Sequence, residues 1–485
     1  MSKTVLHDGD EGVLLIVKNN RPKRIEQSDP RSPVHVVYGG AHLFTSDTVQ
    51  KLGRIASQSL ETYAPNFVEF ADAMWLKGAE TLPRFPKAVA DLERQLAKNA
   101  KKVKAENFPA WFAWTVHQRT LQKLNTQPVE DYRIDFEDGY GFRGDEEEDS
   151  HAVSAAHELA ECFLENNITL FSGFRIKSLA PETFGRSVRT LHLFLENFLT
   201  KSGGRLPENF AVTLPKVSDR KEVKQLCRYL KKIEKKAGLD KGSIKIEIMV
   251  ETPLAIVNKK GRIALASLIA AAKDRCTSAH FGAYDYTASL GIASSHQQLR
   301  HEACSFARQM MLIALSPLGI RLSDSVTTEI PVPIHRGEKL SKTKAEENKR
   351  AVHSAWRSHF DNVTHSMTNG FYQSWDLHPN QLVARYAAVY SFFLDGMEAQ
   401  ADRLKVFIEK ATQANLTGNK FDDAASAQGI LNFFKWAIEC AAITEQEVVE
   451  TTGLSMEDIQ SGSFLNLMEN RRPTAGESLH LTSRD

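Results

Sequence analysis

The 485 residues carry 61 Lys and Arg against 60 Asp and Glu, a formal charge of +1. A balance this even excludes the strong positive field that nucleic acid or an anionic membrane surface would select. Five scattered cysteines without a C-x-x-C pair, no run of about 18 apolar residues and no apolar signal core at the N-terminus predict a cytoplasmic protein with reduced thiols.

Residues 1–33 are polar, lack periodicity and read as an N-terminal arm. Val34–Tyr38 (VHVVY) is a short β-branched run closed by Gly39 and Gly40. From about residue 50 to 126 the pattern is helical (FVEFADAMWL, ADLERQLAKNAKKVKAE, WFAWTVHQRTLQKL), too long for one crossover. It predicts an inserted helical layer. Lysines 98–104 and 231–236 alternate with helix-period apolar residues, which marks solvated helix faces rather than a phosphate track.

Strand-like and amphipathic stretches then alternate. Tyr132–Phe136, Ile168–Ile176, Phe210–Leu214, Ile244–Val250, Ser278–Gly282, Ser325–Glu329 and Phe371–Leu377 read as strands with helices between them. With the first run they number eight, which predicts a (β/α)8 TIM barrel over residues 34–380. An open doubly wound sheet is the competitor, but neither G-x-G-x-x-G nor G-x-x-x-x-G-K-[ST] occurs. Residues 381–470 read as a C-terminal helical extension and 471–485 as a loose tail.

Barrels of this kind place chemistry at the C-terminal ends of their strands. Here those ends carry His42, the Asp135–Asp138 stretch, Arg175, Lys216, Glu251, Asp285 and His378. Glu251 and Asp285, at the ends of consecutive strands, would repel unless a cation sat between them, and Mg²⁺ or Mn²⁺ suits oxygen ligands. Two helix-capping acids are the bland reading of that pair. Arg175 suits a carboxylate in two-point contact, or else an ion pair with Asp135 or Glu137. Asp138 before Gly139 could be turn chemistry, Lys216 a snorkelling rim lysine, and His378 a cap on the last long helix. Lys216 is also the one well-placed candidate for Schiff-base chemistry, although the acidic pair would then lack a purpose. A 2-oxo acid beside a bound cation would be polarised towards an enolate, the species that makes or breaks a carbon–carbon bond.

Six ordered segments carry a resemblance. IDFEDGYG resembles "LDLEDAV", GFRIKS resembles "VRIN", TLPKV matches "LPKV", MVETPLAI resembles "IET", FGAYDYTASLG resembles "G-x-x-D-L-x-x-x-L-G", and DLHPNQL resembles "IHPxQI". Together they resemble the citrate lyase β-subunit-like group within the HpcH/HpaI aldolase neighbourhood of the phosphoenolpyruvate/pyruvate barrel superfamily, as a divergent branch. The resemblance implies Arg175 as the substrate-carboxylate arginine, Glu251 and Asp285 as Mg²⁺ ligands, and Lys216, Glu137 and His378 among the substrate-binding residues. Asp138 and Glu137 would order metal-bound water. A weaker seventh segment, LTGNKFDDA, implies Asp422 as an acid–base aspartate offered to a neighbouring subunit.

The chain departs from the pattern at Lys177, which replaces the asparagine of "VRIN", and through its helical insert, which could block a coenzyme A groove. The resemblance thus implies a Mg²⁺-dependent carbon–carbon lyase or aldolase acting on a small 2-oxo or 3-hydroxy acid, free or as its CoA thioester. It also implies a homo-oligomer, trimer or hexamer. Two competing readings are a phosphoenolpyruvate/pyruvate phosphotransferase and a catalytically silent ligand-binding barrel.

Overall fold

The computed structural model describes residues 31–337, 339–417 and 424–461, with residues 464, 466 and 467. The expected arm up to residue 30, Asp422 and the expected tail lie outside the described residues. Eight strands close into a parallel barrel in chain order: β1 (His35–Gly40), β2 (Asp131–Asp135), β3 (Phe171–Arg175), β4 (Phe210–Leu214), β5 (Lys245–Val250), β6 (Cys276–Phe281), β7 (Arg321–Val326) and β8 (Gln373–Asp376). β8 returns to β1 through His35↔Ser374 and Val37↔Asp376, which completes the ring. The chain is a (β/α)8 TIM barrel.

Helices fill the crossovers. After β1 come four, α1 (Thr48–Tyr63), α2 (Phe67–Met74), α3 (Pro86–Glu106) and α4 (Phe108–Thr126), the insert that the periodicity predicts. Then follow α5 (Asp145–Leu164), α6 (Phe184–Lys201), α7 (Arg220–Ala237), the short α8 (Pro253–Ile256), α9 (Leu265–Ala272), α10 (Ala283–Ser289), α11 (Glu302–Leu315) and α12 (Lys342–Thr368). Beyond β8 the chain continues as α13 (Gln381–Thr417), α14 (Ala424–Glu439), α15 (Glu445–Thr452) and α16 (Met456–Gln460). Among the described residues, no helix is long and apolar enough to cross a membrane.

Period-2 alternation sorts each strand into two faces. Ile134, Phe174, Val212, Ile248 and Phe281 are fully buried and join one apolar shell with helix residues such as Phe194, Leu226 and Leu268. Phe174 stacks on Phe194 at 4.0 Å between ring centroids. The other face is polar. Glu247 of β5 is met by Tyr38 Oη of β1 (2.9 Å), Thr213 Oγ1 of β4 (2.8 Å), and Ser278 Oγ (2.6 Å) and His280 Nε2 (2.7 Å) of β6. Arg133 of β2 joins at 3.4 Å. Residues on four other strands can share one carboxylate only across the barrel's interior. Burying such a charge is tolerable because every oxygen is matched. Gly173 makes room for Arg133: a Cβ there would lie 2.6 Å from the guanidinium and 1.9 Å from the carbonyl oxygen of Ala211.

One strand departs from expectation. The run Ser325–Glu329 is not β7, which lies earlier, at Arg321–Val326. Its centre, Ser323-Asp324-Ser325, is polar yet buried, so hydrophobicity does not mark it. Asp324 accepts from Ser366 Oγ at 2.6 Å and faces Arg308 at 3.5 Å, and the β7–β8 register shifts beside it.

The insert is not a separate layer in space. α4 packs on α13 and α2 on α12. Trp356 of α12 is fully buried, stacks on His353, meets Tyr63 of α1 edge-on, and donates its indole N–H to the Asn380 carbonyl at 2.7 Å.

Candidate active site

The ends of β2 to β5, with the first turn after β6, build one charged cluster. Asp135 and Arg175 close β2 and β3 and are register partners, so their side chains emerge together. Asp135 accepts from Arg175 through both oxygens, at 2.7 Å from Nε and 2.5 Å from Nη2, and also from the amides of Glu137 (2.9 Å) and Gly139 (2.7 Å). These bonds turn the chain after β2 back over the mouth. The remaining guanidinium nitrogen, Nη1, faces Glu137 at 3.1 Å and Asp138 at 3.7 Å. Beneath it lie Tyr38 and Trp375, whose rings are 4.8 and 5.8 Å from the guanidinium carbon and 4.4 Å from each other. This cation–π floor holds Arg175 in place.

Lys216 ties the cluster to the expected cation pair. Its backbone is left-handed, φ +52°, an uncommon state for a residue with a Cβ that costs on the order of 1 kcal/mol or more. That conformation directs its amide to Glu251 Oε1 at 2.5 Å. The ammonium reaches Glu137 (2.7 Å), Asp285 (3.2 Å) and Asp138 (3.4 Å). Glu251, Asp285, Arg175, Glu137, Asp138 and Lys216 therefore form one contiguous set.

The electrostatics are unbalanced. Five carboxylates, including Asp135, surround two cations, leaving three excess negative charges when all are ionised. Glu251 is 1% exposed. Burial, reinforced by Asp285 and Glu137, outweighs Lys216 and Arg175 and pushes its carboxyl up to about 8. Glu137 is likewise raised, first by burial and then by Asp138. Gly282 sits against Glu251: a Cβ on it would lie 2.5 Å from Oε2 and 2.6 Å from the glutamate's own Cβ.

The donor set fits a hard divalent cation held by few protein ligands. Glu251 and Asp285 are oxygen donors, and neither Glu251 Oε2 nor Asp285 Oδ1 takes a hydrogen bond from a described residue. Among the described residues, no three His, Cys, Asp or Glu side chains converge as a ready-made metal cage. Mg²⁺ is typically held by one or two carboxylates, with water and substrate completing the shell.

Two expected participants sit elsewhere, and a third is not described. His378 accepts from the Asn380 amide at 3.2 Å in the turn that leads into α13; no contact among the described residues joins it to the cluster. His42 packs on Tyr140 and His151 beside the loop after β2. Asp422 lies outside the described residues. Lys177 turns away from the mouth, donating to the Phe136 carbonyl at 2.6 Å and to buried Glu148 at 2.8 Å. Its replacement of an asparagine is thus a structural ion pair. Tyr38 and Trp375 are additions that charge-based reading missed. Inward alternation along β1 and β8 was the available signal.

The family model described as "Domain of unknown function (DUF6986)" matches residues 24–467. The chain belongs to this family. No curated protein matches it. Among solved structures it is similar to a citrate lyase from Burkholderia xenovorans LB400, at 18% identity and TM-score 0.47 over 67% of this chain and 91% of that one. It is also similar to malate synthase from Haloferax volcanii. The lead(II) complex matches at 16% identity and TM-score 0.41, covering 70% of this chain and 89% of that one. The magnesium/glyoxylate complex matches at 16% identity and TM-score 0.40, covering 69% and 88%. Membership in the narrower citrate lyase β-subunit-like group does not follow from these matches.

Proposed function

We propose that this chain is a divalent-cation-dependent carbon–carbon lyase or aldolase acting on a small 2-oxo or 3-hydroxy acid, free or as a CoA thioester. The observation that carries the reading is the buried Glu251 carboxylate, linked through Lys216 to Asp285 and set among excess negative charge at the C-terminal mouth of the barrel. A buried acid so raised is what a site awaiting a cation would show. Held by Glu251 and Asp285, Mg²⁺ would supply Lewis-acid stabilisation of the charge that develops on a carbonyl oxygen.

The chain's own residues do the rest. Asp135 fixes the Arg175 guanidinium by two bonds, so that Nη1 alone is presented to the mouth. A substrate carboxylate takes that edge by displacing Glu137. Displaced, Glu137 remains within reach of Lys216 and, with its raised affinity for protons, holds the proton exchanged with the reacting carbon. Asp138, more than half exposed, orders water at the opening.

One screen tests this. The protein, with Mg²⁺, is incubated with a panel of 3-hydroxy acids and their CoA thioesters, and release of pyruvate, oxaloacetate or glyoxylate is measured. Glu251→Gln is expected to lower any activity at least about 100-fold, the scale seen on losing one preorganised charge-stabilising group. No product from any substrate, together with no Mg²⁺-dependent thermal shift, would leave the ligand-binding barrel as the better reading. That alternative has its own support in the near-complete engagement of Arg175 by Asp135 and Glu137.

A further inference from the structure

Lys216 makes two contacts of different kinds with the pair that would hold a cation. Its amide bonds Glu251, and its ammonium bonds Asp285. The first survives any substitution that keeps a backbone N–H and the left-handed turn. The second depends on the side-chain charge alone. A cation shared by Glu251 and Asp285 would lie within a few ångströms of that ammonium, and two positive charges so close repel. The ammonium has somewhere to go, because Glu137 and Asp138 already face it at 2.7 and 3.4 Å. Arg175 cannot take over the position at Asp285, since Asp135 grips it through two nitrogens.

We propose that Lys216 is a built-in competitor for the cation: its ammonium holds Asp285 until a divalent ion displaces it onto Glu137 and Asp138. Lys216 thereby sets the cation concentration at which the site fills. The inference rests on the cation site of the proposed function. It goes beyond that reading by giving the lysine a role distinct from substrate binding or Schiff-base chemistry.

The test is binding of Mn²⁺ alone to the full-length protein, followed by the paramagnetic resonance signal of the free ion. Lys216→Met is expected to bind Mn²⁺ about tenfold more tightly or better, as removal of one unit charge within about 4 Å of a bound cation implies. Lys216→Gln, which keeps polarity without charge, is expected to behave like Lys216→Met and stands in if that variant does not fold. Lys216→Arg, which keeps the charge, should stay within about threefold of the natural chain. Equal or weaker binding in Lys216→Met or Lys216→Gln would overturn the competitor role. Should the natural chain bind Mn²⁺ and lose it in Glu251→Gln, that result would leave the cation site standing. Absence of Mn²⁺ binding in the natural chain and both uncharged variants would overturn the cation site and this role with it.

Discussion

Gly282 decides whether Glu251 can occupy its place. Its backbone lies at φ −108°, open to any residue, so space alone requires glycine here. In Gly282→Ala the new methyl would meet the Cβ of Glu251, which cannot swing away as a side-chain tip can. The expected cost is about 1–3 kcal/mol by urea denaturation, as for other overpacked sites, together with loss of any Mg²⁺-induced thermal shift. An alanine variant with natural stability and an intact Mg²⁺ response would show that Glu251 does not pack as described. At this scale the sequence was informative about acids and silent about their linkage. Glu251 and Asp285 were legible because they follow strand-like runs. The left-handed turn at Lys216, which joins them, leaves no trace in a residue type that normally avoids it.

At the scale of elements, β8 docks α12 and α13 through one buried acid. Asp376 receives Arg385 of α13 at 2.7 Å and His359 of α12 at 2.8 Å, and faces His35 of β1 at 3.2 Å. Burial would raise its carboxyl, but Arg385 and then the bonds from His35 and His359 outweigh that and hold it well below the ordinary carboxylate range. A carboxyl lowered on folding contributes stability above its unfolded value near 3.9, and that contribution is lost as pH falls towards the folded one. Asp376→Asn should therefore cost about 3–5 kcal/mol at neutral pH, by leaving Arg385 buried without its counter-charge. The difference from the natural chain should shrink as unfolding is measured below about pH 4. A gap that stays constant with pH would mean the carboxylate's charge is not the cause. The eight-unit alternation made most strands legible, Phe210–Leu214 to the residue, because outward faces are apolar. β7 was not, because Asp324 spends its polarity on Arg308 and Ser366, and Ser323 and Ser325 spend theirs on the Asp324 carbonyl and the Ala283 amide, rather than on solvent.

For the whole molecule, the question is whether the helical insert is an appendage or part of the barrel's cooperative unit. Its helices α2 and α4 bury Phe67, Phe70 and Phe112 completely within the same contiguous apolar cluster that includes Tyr386 and Phe393 of α13. Trp356 stands at the junction, with its ring beside Tyr63 of the insert and its indole bonded to the turn after β8. An appendage would bury its own core and meet the barrel through a modest polar interface. Here one core runs through both, and calorimetry of the full chain should show a single transition rather than an early one for the insert. Trp356→Ala should lower that transition as a whole, by about 3–5 kcal/mol for a large buried aromatic, without splitting it. A separate low-temperature transition in the natural chain would make the insert its own folding unit. Its position over the barrel would then be free to change without unfolding the mouth that Glu251, Lys216 and Asp285 line.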